Sequence, residues 1–515
     1  MRRYLNKAIW LVVHKIPWKP ILIWGPWVTI LLGVAFYRIE NWRGQRALQK
    51  ALAQTQEQEY SMDWEDYNPS AIADEDSFLK STLFHDLQSA TDFDRIYHMM
   101  RKGHVPSGIS ANRADFKKPR DLPLLTSQID LRNWLEPASR PATELEAAQE
   151  LDRILSNRKR LLDELGESFR TLQLHQRIAP TDYLNPNSNS MALSMQAVRV
   201  SSVCQEDAHL ACVQGDIARA LSRVEINNAF LLAQVPRTLV ASLIDNTVAQ
   251  SNCDITAHIL RSGKASSAEL GRLRDLLDHS LIADYDQVLL TEMVFHYEIC
   301  EHLRQNRYLL TTQDPMSALF SPTPSTWEER LQNGIDFFYQ RIPSGWIHRA
   351  AADNITYNLA GLEGIDFTSL EGQQSFPRKT EQIDTTNSLA SRMTGLVSVD
   401  EIMRNAYLKA QQAETERHLM RTAIQLELYR EKHGHYPASL RELPELPARD
   451  FFSGQAFRYQ LKPDGTPHLW SLGPDRKDDN GLPRQQTGND SKGDLVWMLT
   501  PIPGLTEKDW RKATR

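Results

Sequence analysis

RHLMRTAIQLELYREKHGHYPASLRELPELPARDFFSGQAFRYQLKPDGTPHLWSLGPDRKDDNG, residues 417–481, continued by GDLVWML at 493–499, decides the fold of the C-terminal part of the chain. Leu419, Ala423 and Leu426, with Met403, Tyr407 and Ala410 upstream, recur at helical spacing, so a helix is expected over about 401–432. Gly434 stops it, because glycine takes the left-handed backbone that ends helices. Ser439-x-x-Glu442 is a capping box, in which each residue satisfies the other's orphan backbone donor. FRYQL and HLWSL are strand-like runs joined through Pro463-Asp464-Gly465, a turn signal. Asp494-Leu-Val-Trp-Met-Leu499 supplies a third strand. The expectation is a helix burying one face of a three-stranded antiparallel sheet.

Working outward, the 515-residue chain has room for two or three domains. Hydrophobic content of 41% and charged content of 24% describe a folding protein rather than a disordered one. A net charge of −6 offers no global attraction to nucleic acid, and no zinc finger, recognition-helix signature or basic stripe contradicts that. At the other end, Arg2, Arg3, Lys7, Lys15 and Lys19 precede ILIWGPWVTILLGVAFY, residues 21–37, which is free of charge. That length suits a membrane-crossing helix, and Trp18, Trp24, Trp27, Tyr37 and Trp42 sit at or near its ends, where amphipathic rings prefer the lipid interface. Pro26 lies near the start, where a missing donor costs least. The alternatives are a signal peptide cleaved near Gly33-Val34-Ala35 and a buried core helix. The basic leader 1–20 puts the N-terminus in the cytoplasm and the bulk of the chain outside, although Arg38, Arg43, Arg46 and Lys50 flank the far side.

Residues 38–60 read as an amphipathic helix, and 38–142 as a whole as an extended region with short helices. At Thr143 the pattern becomes helical. Thr143-x-x-Glu146, Ser266-x-x-Glu269 and Ser325-x-x-Glu328 are capping boxes. Helices are expected over about 190–213, 217–234, 237–262 and 284–308, punctuated by Gly215-Asp216 and Pro236. Residues 143–345 thus form an irregular antiparallel helical bundle, with tetratricopeptide-like hairpins as the alternative suggested by CVQGDIARALSRVEINNAF. Residues 346–400 connect it to the module at 401–500, and 501–515 form a tail. The fold class is mostly α: a membrane helix, the bundle, and a small C-terminal α+β module. Cys204, Cys212, Cys253 and Cys300 are too scattered for a disulfide framework or a zinc site. Buried free thiols, or a bond from Cys204 or Cys212 to Cys253 or Cys300, are expected.

No nucleophile elbow, phosphate loop or dinucleotide fingerprint occurs in the chain. The run Glu292-x3-His296-x-Glu298-x2-Glu301-His302 sets two Glu–His pairs one helical turn apart. Val294, Phe295, Ile299 and Leu303 need burial, so the charged positions are expected to face water, with a metal or acid–base role as the alternative. The loop from Ser471 to Gly481 and on to Asp494 is the stronger candidate site. Calcium takes six to eight oxygens, and several aspartates in one glycine-containing loop can supply them. The alternative is a solvated acidic turn.

The module, over residues 401–500 only, resembles the globular part of the major pseudopilin of type II secretion systems, in its order of helix, Gly434 stop, Tyr436-Pro437, capped helix, hairpin, Asp-rich loop and last strand. That resemblance implies Asp475, Asp490 and Asp494 as calcium ligands. Arg476 and Lys477 depart from the family's glycine surroundings, and the insert before Asp490 is long and Gln-rich. A pseudopilin also has its apolar segment fused to the module helix behind a Gly-Phe-type processing site. Here the apolar segment lies far upstream without that site, so pilus assembly by helix stacking is not implied. The layout resembles bacterial membrane-anchored proteins ending in such a module. The expected function is a non-enzymatic scaffold or interaction protein of the envelope, single-pass in the bacterial inner membrane. Its partners would be the lipid bilayer through residues 21–37 and a further protein. A secretion-system accessory protein and a hydrolase with a site in the helical domain are the alternatives. No cofactor is expected besides calcium.

Overall fold

The computed structural model describes residues 18–89, 130–184, 192–233, 235–307, 340–367, 369–381, 399–445, 448–483 and 493–499. The chain is mostly helical, with one three-stranded antiparallel sheet at the C-terminal end. It divides into two compact units, one built from Met1–Met62, Met293–Leu359 and Asp384–Val399, the other from Asp63–Glu292, Ala360–Ile383 and Asp400–Arg515. The helices are α1 (Trp18–Glu57), α2 (Thr82–Ser89), α3 (Glu144–Ile154), α4 (Ser156–Ser168), α5 (Ala192–Gln214) and α6 (Ile217–Leu231), then α7 (Leu239–Ser262), α8 (Ser267–Leu276), α9 (Tyr285–Gln305), α10 (Ser344–Leu362), α11 (Leu370–Glu381) and α12 (Val399–His433). The strands are β1 (Arg458–Leu461), β2 (Pro467–Ser471) and β3 (Leu495–Met498).

In the first unit, α1 is one continuous helix that carries the apolar run and Pro26 within it. From Trp24 to Trp42 its large apolar side chains are solvent-exposed, Leu31 and Leu32 at 66% and 65%. No helix among the described residues is long and apolar enough to cross a membrane. The side chains of Ile21, Leu22 and Ile23, which open the apolar run, lie outside the described residues. Lower down, α1 turns a buried face of Gly44, Leu48, Ala51 and Thr55 inward. There α10 crosses it backbone to backbone. A Cβ on Gly44 would lie 1.8 Å from the Gly345 carbonyl oxygen, and one on Gly345 would lie 2.0 Å from the Glu40 carbonyl oxygen. The Gly345 N–H donates to Asn41 Oδ1 at 2.9 Å and Trp346 Nε1 donates to Glu40 Oε2 at 3.0 Å. Phe36 meets the Trp346 ring edge-on.

In the second unit, α5, α6 and α7 form the central layer. Gly215, at φ 85°, makes the tight corner between α5 and α6, and Asp216 caps α6 by accepting from the Arg219 N–H. Thr238 caps α7 through the Ala241 N–H, and Gly263 closes it in the left-handed conformation. The boxes at Thr143/Glu146, Ser266/Glu269 and Ser439/Glu442 are all formed. The box at Ser325/Glu328 lies outside the described residues. Four expected helices therefore sit within a few residues of their boundaries, because caps and glycine corners are local signals.

One hydrophobic core runs through this unit. It joins Val200, Val224, Val248 and Ile255 of the central helices to Leu419, Ala423 and Leu426 of α12 and to Leu469 and Trp497 of the sheet. The sheet order is β1-β2-β3, with Tyr459 opposite Leu469 and Leu469 opposite Trp497. Gly434 ends α12 at φ 80°, and the hairpin turns at Gly465 with Asp464 accepting from the Thr466 N–H. The expectation that one sheet face is buried is exceeded. Every residue of β2 and β3 is buried, because the loop after β2 folds back over the outer face. There Gly481 presses so close that a Cβ would lie 2.4 Å from the His468 ring.

The α1–α10 crossing yields a direct test. Gly44→Ala should destabilise the first unit by about 2 kcal/mol or more, since backbone cannot move aside as a side chain can. Gly33→Ala, where nothing lies within 4 Å, should leave stability unchanged. Limited proteolysis and thermal melts of the two variants in parallel report the contrast.

Candidate functional site

A groove of about 970 Å³ opens in the second unit between α4 and the end of α8, with α6 as its floor. Leu162, Phe169, Ile226 and Ala229 make it apolar. Leu232, just past α6, stands at its mouth 63% exposed, while its neighbour Leu231 is buried. Gly166 keeps the α4 wall low, so that a Cβ there would meet only the Ile226 side chain at 3.6 Å. Asp163, Glu167, Arg170, Glu225 and Asp275 form a charged rim. Asn228 Nδ2 donates to the Leu276 carbonyl and holds α8 beside α6. A cleft lined by both apolar and charged side chains on a helical scaffold is a form that peptide or helix docking sites take.

The rim is continuous with a buried ionic network that positions it. Asp163 Oδ1 accepts from Arg223 Nη2 at 2.7 Å, and Arg223 Nε donates to Asp207 Oδ2 at 2.6 Å. Arg219 bonds both Asp207 and Asp152, joining α3, α5 and α6. Burial pushes the Asp207 carboxyl up, but the hydrogen bonds and charges of Arg219 and Arg223 outweigh it and hold the group below the usual carboxylate range. Alongside, Arg158 Nη2 reaches Glu206 at 2.7 Å from α4. The sequence pattern did not single out this network, because its members are spread over 72 positions of the chain, from Asp152 to Arg223. The one available signal was the number of arginines on otherwise apolar helices.

The Glu–His run on α9 does not present the solvated face expected at its start. Glu292 is buried and accepts from the Leu239 N–H at 3.1 Å, at the N-terminus of α7. Burial pushes its carboxyl up to about 7, with that hydrogen bond partly opposing. Glu292 acts as a cap for a neighbouring helix. Burial also pushes His296 down to about 4. Further along, Glu301 takes Arg304 and stands 3.5 Å from His348. All four cysteines are buried and free.

In the acidic loop, Asp475 Oδ1 accepts from the Lys477 N–H at 3.2 Å, an ordinary turn bond. Asp478 accepts from Trp470 Nε1 and the Asn480 N–H and pairs with Arg458. Asp494 is fully buried, and its Oδ2 accepts from the N–H groups of Asp479 and Gly481 at 3.1 and 2.8 Å. Its Oδ1 has no hydrogen-bond partner among the described residues. Asp490 lies outside the described residues. Among the described residues no group of three or more His, Cys, Asp or Glu side chains is arranged to hold a metal ion. Among the described residues of this loop, Asp494 Oδ1 is a buried acceptor without a hydrogen-bond partner, while Asp475 and Asp478 fasten the turn.

Burial pushes the Asp494 carboxyl up to about 7, eased by the two N–H bonds and increased by Asp478 and Asp479. A raised carboxyl binds its proton more tightly in the folded than in the unfolded chain. Stability from this group is therefore full near pH 4 and falls as pH rises towards about 7. Without calcium, Asp494→Asn should raise Tm by a few degrees at pH 8 and by less at pH 5. With millimolar calcium, an ion at Asp494 would raise the wild-type Tm and leave the variant unmoved; equal melts in calcium and chelator would remove calcium from this loop. Asp207→Ala should cost about 3–5 kcal/mol by removing the buried carboxylate shared by two guanidinium groups, whereas Asp163→Asn at the rim should cost less than about 1. Urea unfolding followed by circular dichroism measures both.

Compared with known proteins, the chain matches no family model, no curated protein and no solved structure.

Proposed function

We propose that this chain is a membrane-anchored scaffold or interaction protein of the bacterial envelope, which receives a segment of a protein partner in the groove between α4, α6 and α8. The groove itself supports this reading: Phe169, Ile226 and Ala229 line it beside charged side chains, and Leu232 stands exposed at its mouth. Its walls are braced by the buried Asp207 network, so the cleft is preformed and binding does not have to order it. Anchoring draws support from α1. Ile30, Leu31 and Leu32 are successive residues pointing to different sides of one helix, and all are exposed. Apolar groups around a whole circumference suit acyl chains better than a single protein face. The basic leader then favours a cytoplasmic N-terminus in the inner membrane and an extracytoplasmic bulk.

A second reading, an accessory component of a secretion system, draws on the order of α12, hairpin and β3, which suits the pseudopilin resemblance. The two readings share a test. A photo-crosslinking side chain at position 232, in native membranes, should capture a discrete partner. The purified pair should then bind about tenfold more weakly with Ala229→Trp, which fills the groove, at unchanged Tm. A partner whose affinity ignores Ala229→Trp would take the groove out of the proposal. A pseudopilin as the captured partner would favour the second reading.

A further inference from the structure

Below its apolar collar, α1 carries a second surface. Arg38, Trp42 and Arg46 follow one another at i, i+4 and i+8, so they lie in one stripe along the helix. Arg43 and Lys50 lie beside that stripe. At about 100° per residue, this sector stands opposite the buried face of Gly44, Leu48, Ala51 and Thr55. All five residues are exposed, Trp42 at 59%. The Arg46 guanidinium stacks over the Trp42 ring at 5.4 Å. Glu40 is the single acid between Arg38 and Lys50, and it is engaged by Trp346 Nε1 as well as by Arg43. The outward face of this stretch is thus a cationic stripe around one amphipathic ring, directly continuous with the exposed apolar residues that end at Ile39.

We infer that this stripe is a docking surface for the headgroups of anionic phospholipids. The proposal rests on the membrane reading of α1 and adds the lipid class. Its chemistry is the usual one for a membrane–water boundary. A tryptophan takes the interfacial depth, and arginines beside it meet phosphate oxygens with paired donors while their stems lie along the apolar layer. The Gly44–Gly345 crossing and the Trp346–Glu40 bond fix α10 against the other side of α1, so the stripe is held outward and cannot be consumed by rotation of the helix.

The test uses the full chain. In neutral detergent, dioleoylphosphatidylglycerol should raise Tm at concentrations where dioleoylphosphatidylcholine does not, and the increment should shrink at 0.5 M salt. Arg46→Gln alone should weaken the phosphatidylglycerol response about fivefold. Arg38→Gln, Arg46→Gln and Lys50→Gln together should abolish it, with the melt in lipid-free detergent unchanged. Equal responses to the two lipids, or a triple variant that keeps the response, would overturn the inference. So would a response to soluble polyglutamate equal to that of phosphatidylglycerol, which would assign the stripe to an acidic protein. Flotation separates this from the reading beneath it. A chain that floats with pure phosphatidylcholine vesicles but shows no lipid preference refutes the stripe alone. A chain that floats with no vesicle refutes the membrane anchor and the stripe together.

Discussion

The second unit depends on a carboxylate that cannot be exposed. Asp207 sits inside the helical layer with Arg219 on one side and Arg223 on the other, and those guanidinium groups reach out to Asp152 and Asp163. Each charge is tolerated only because its neighbours are in place. The network ties α3, α4, α5 and α6 together through ion pairs between them. The groove lies against this network, since the Asp163–Arg223 pair ties α4 to α6 and both residues line the cleft. A polar seam between α5 and α7 works in the same sense: Ser251 Oγ donates to the Ser201 carbonyl, Gln205 bonds Asp254, and His209 stacks on His258 at 4.1 Å.

The same logic attaches α12. Glu414 accepts from Ser280 Oγ, the Leu281 N–H, Arg417 and His418, and Arg417 donates to the Leu277 carbonyl. Burial opposes the Glu414 charge, but His418 and Arg417 overcome it and hold the carboxyl well below its usual range. Arg261 of α7 meanwhile donates to the Met498 carbonyl of β3. The helix and sheet at the C-terminal end thus share both core and polar contacts with the helices before them. The order of elements in this part follows from local signals, while its surroundings are set by contacts with distant residues. The acidic loop shows the difference most plainly. Its aspartates secure a flap that covers the outer sheet face, a requirement created by Trp470, Val496 and Met498, which would otherwise be exposed.

Local signals in the chain were legible. Three capping boxes, the Gly215 and Gly434 terminations and the Asp464-Gly465 turn lie where residue chemistry puts them, because each depends on a few adjacent residues. Distant relations were not. Nothing near Glu292 in the sequence marks it as the cap of α7, since Leu239 lies 53 positions away. Gly44 and Gly345 carry no mark in the sequence, and only their contact in the fold explains both. The groove has no motif because it is a space between helices.

By itself, then, the sequence determined the predominance of helix, the boundaries of several helices, the hairpin and last strand, and the charge-free run with its basic and aromatic flanks, but not the helices Ser344–Leu362 and Leu370–Glu381. Those features follow from backbone preferences and from polarity, which act over a few residues. Tertiary structure alone decided which charges are buried, which carboxylates are spent on structure, and where a cleft remains. These outcomes depend on pairs of residues far apart in the chain, and a buried charge or an open groove exists only once both partners are in place.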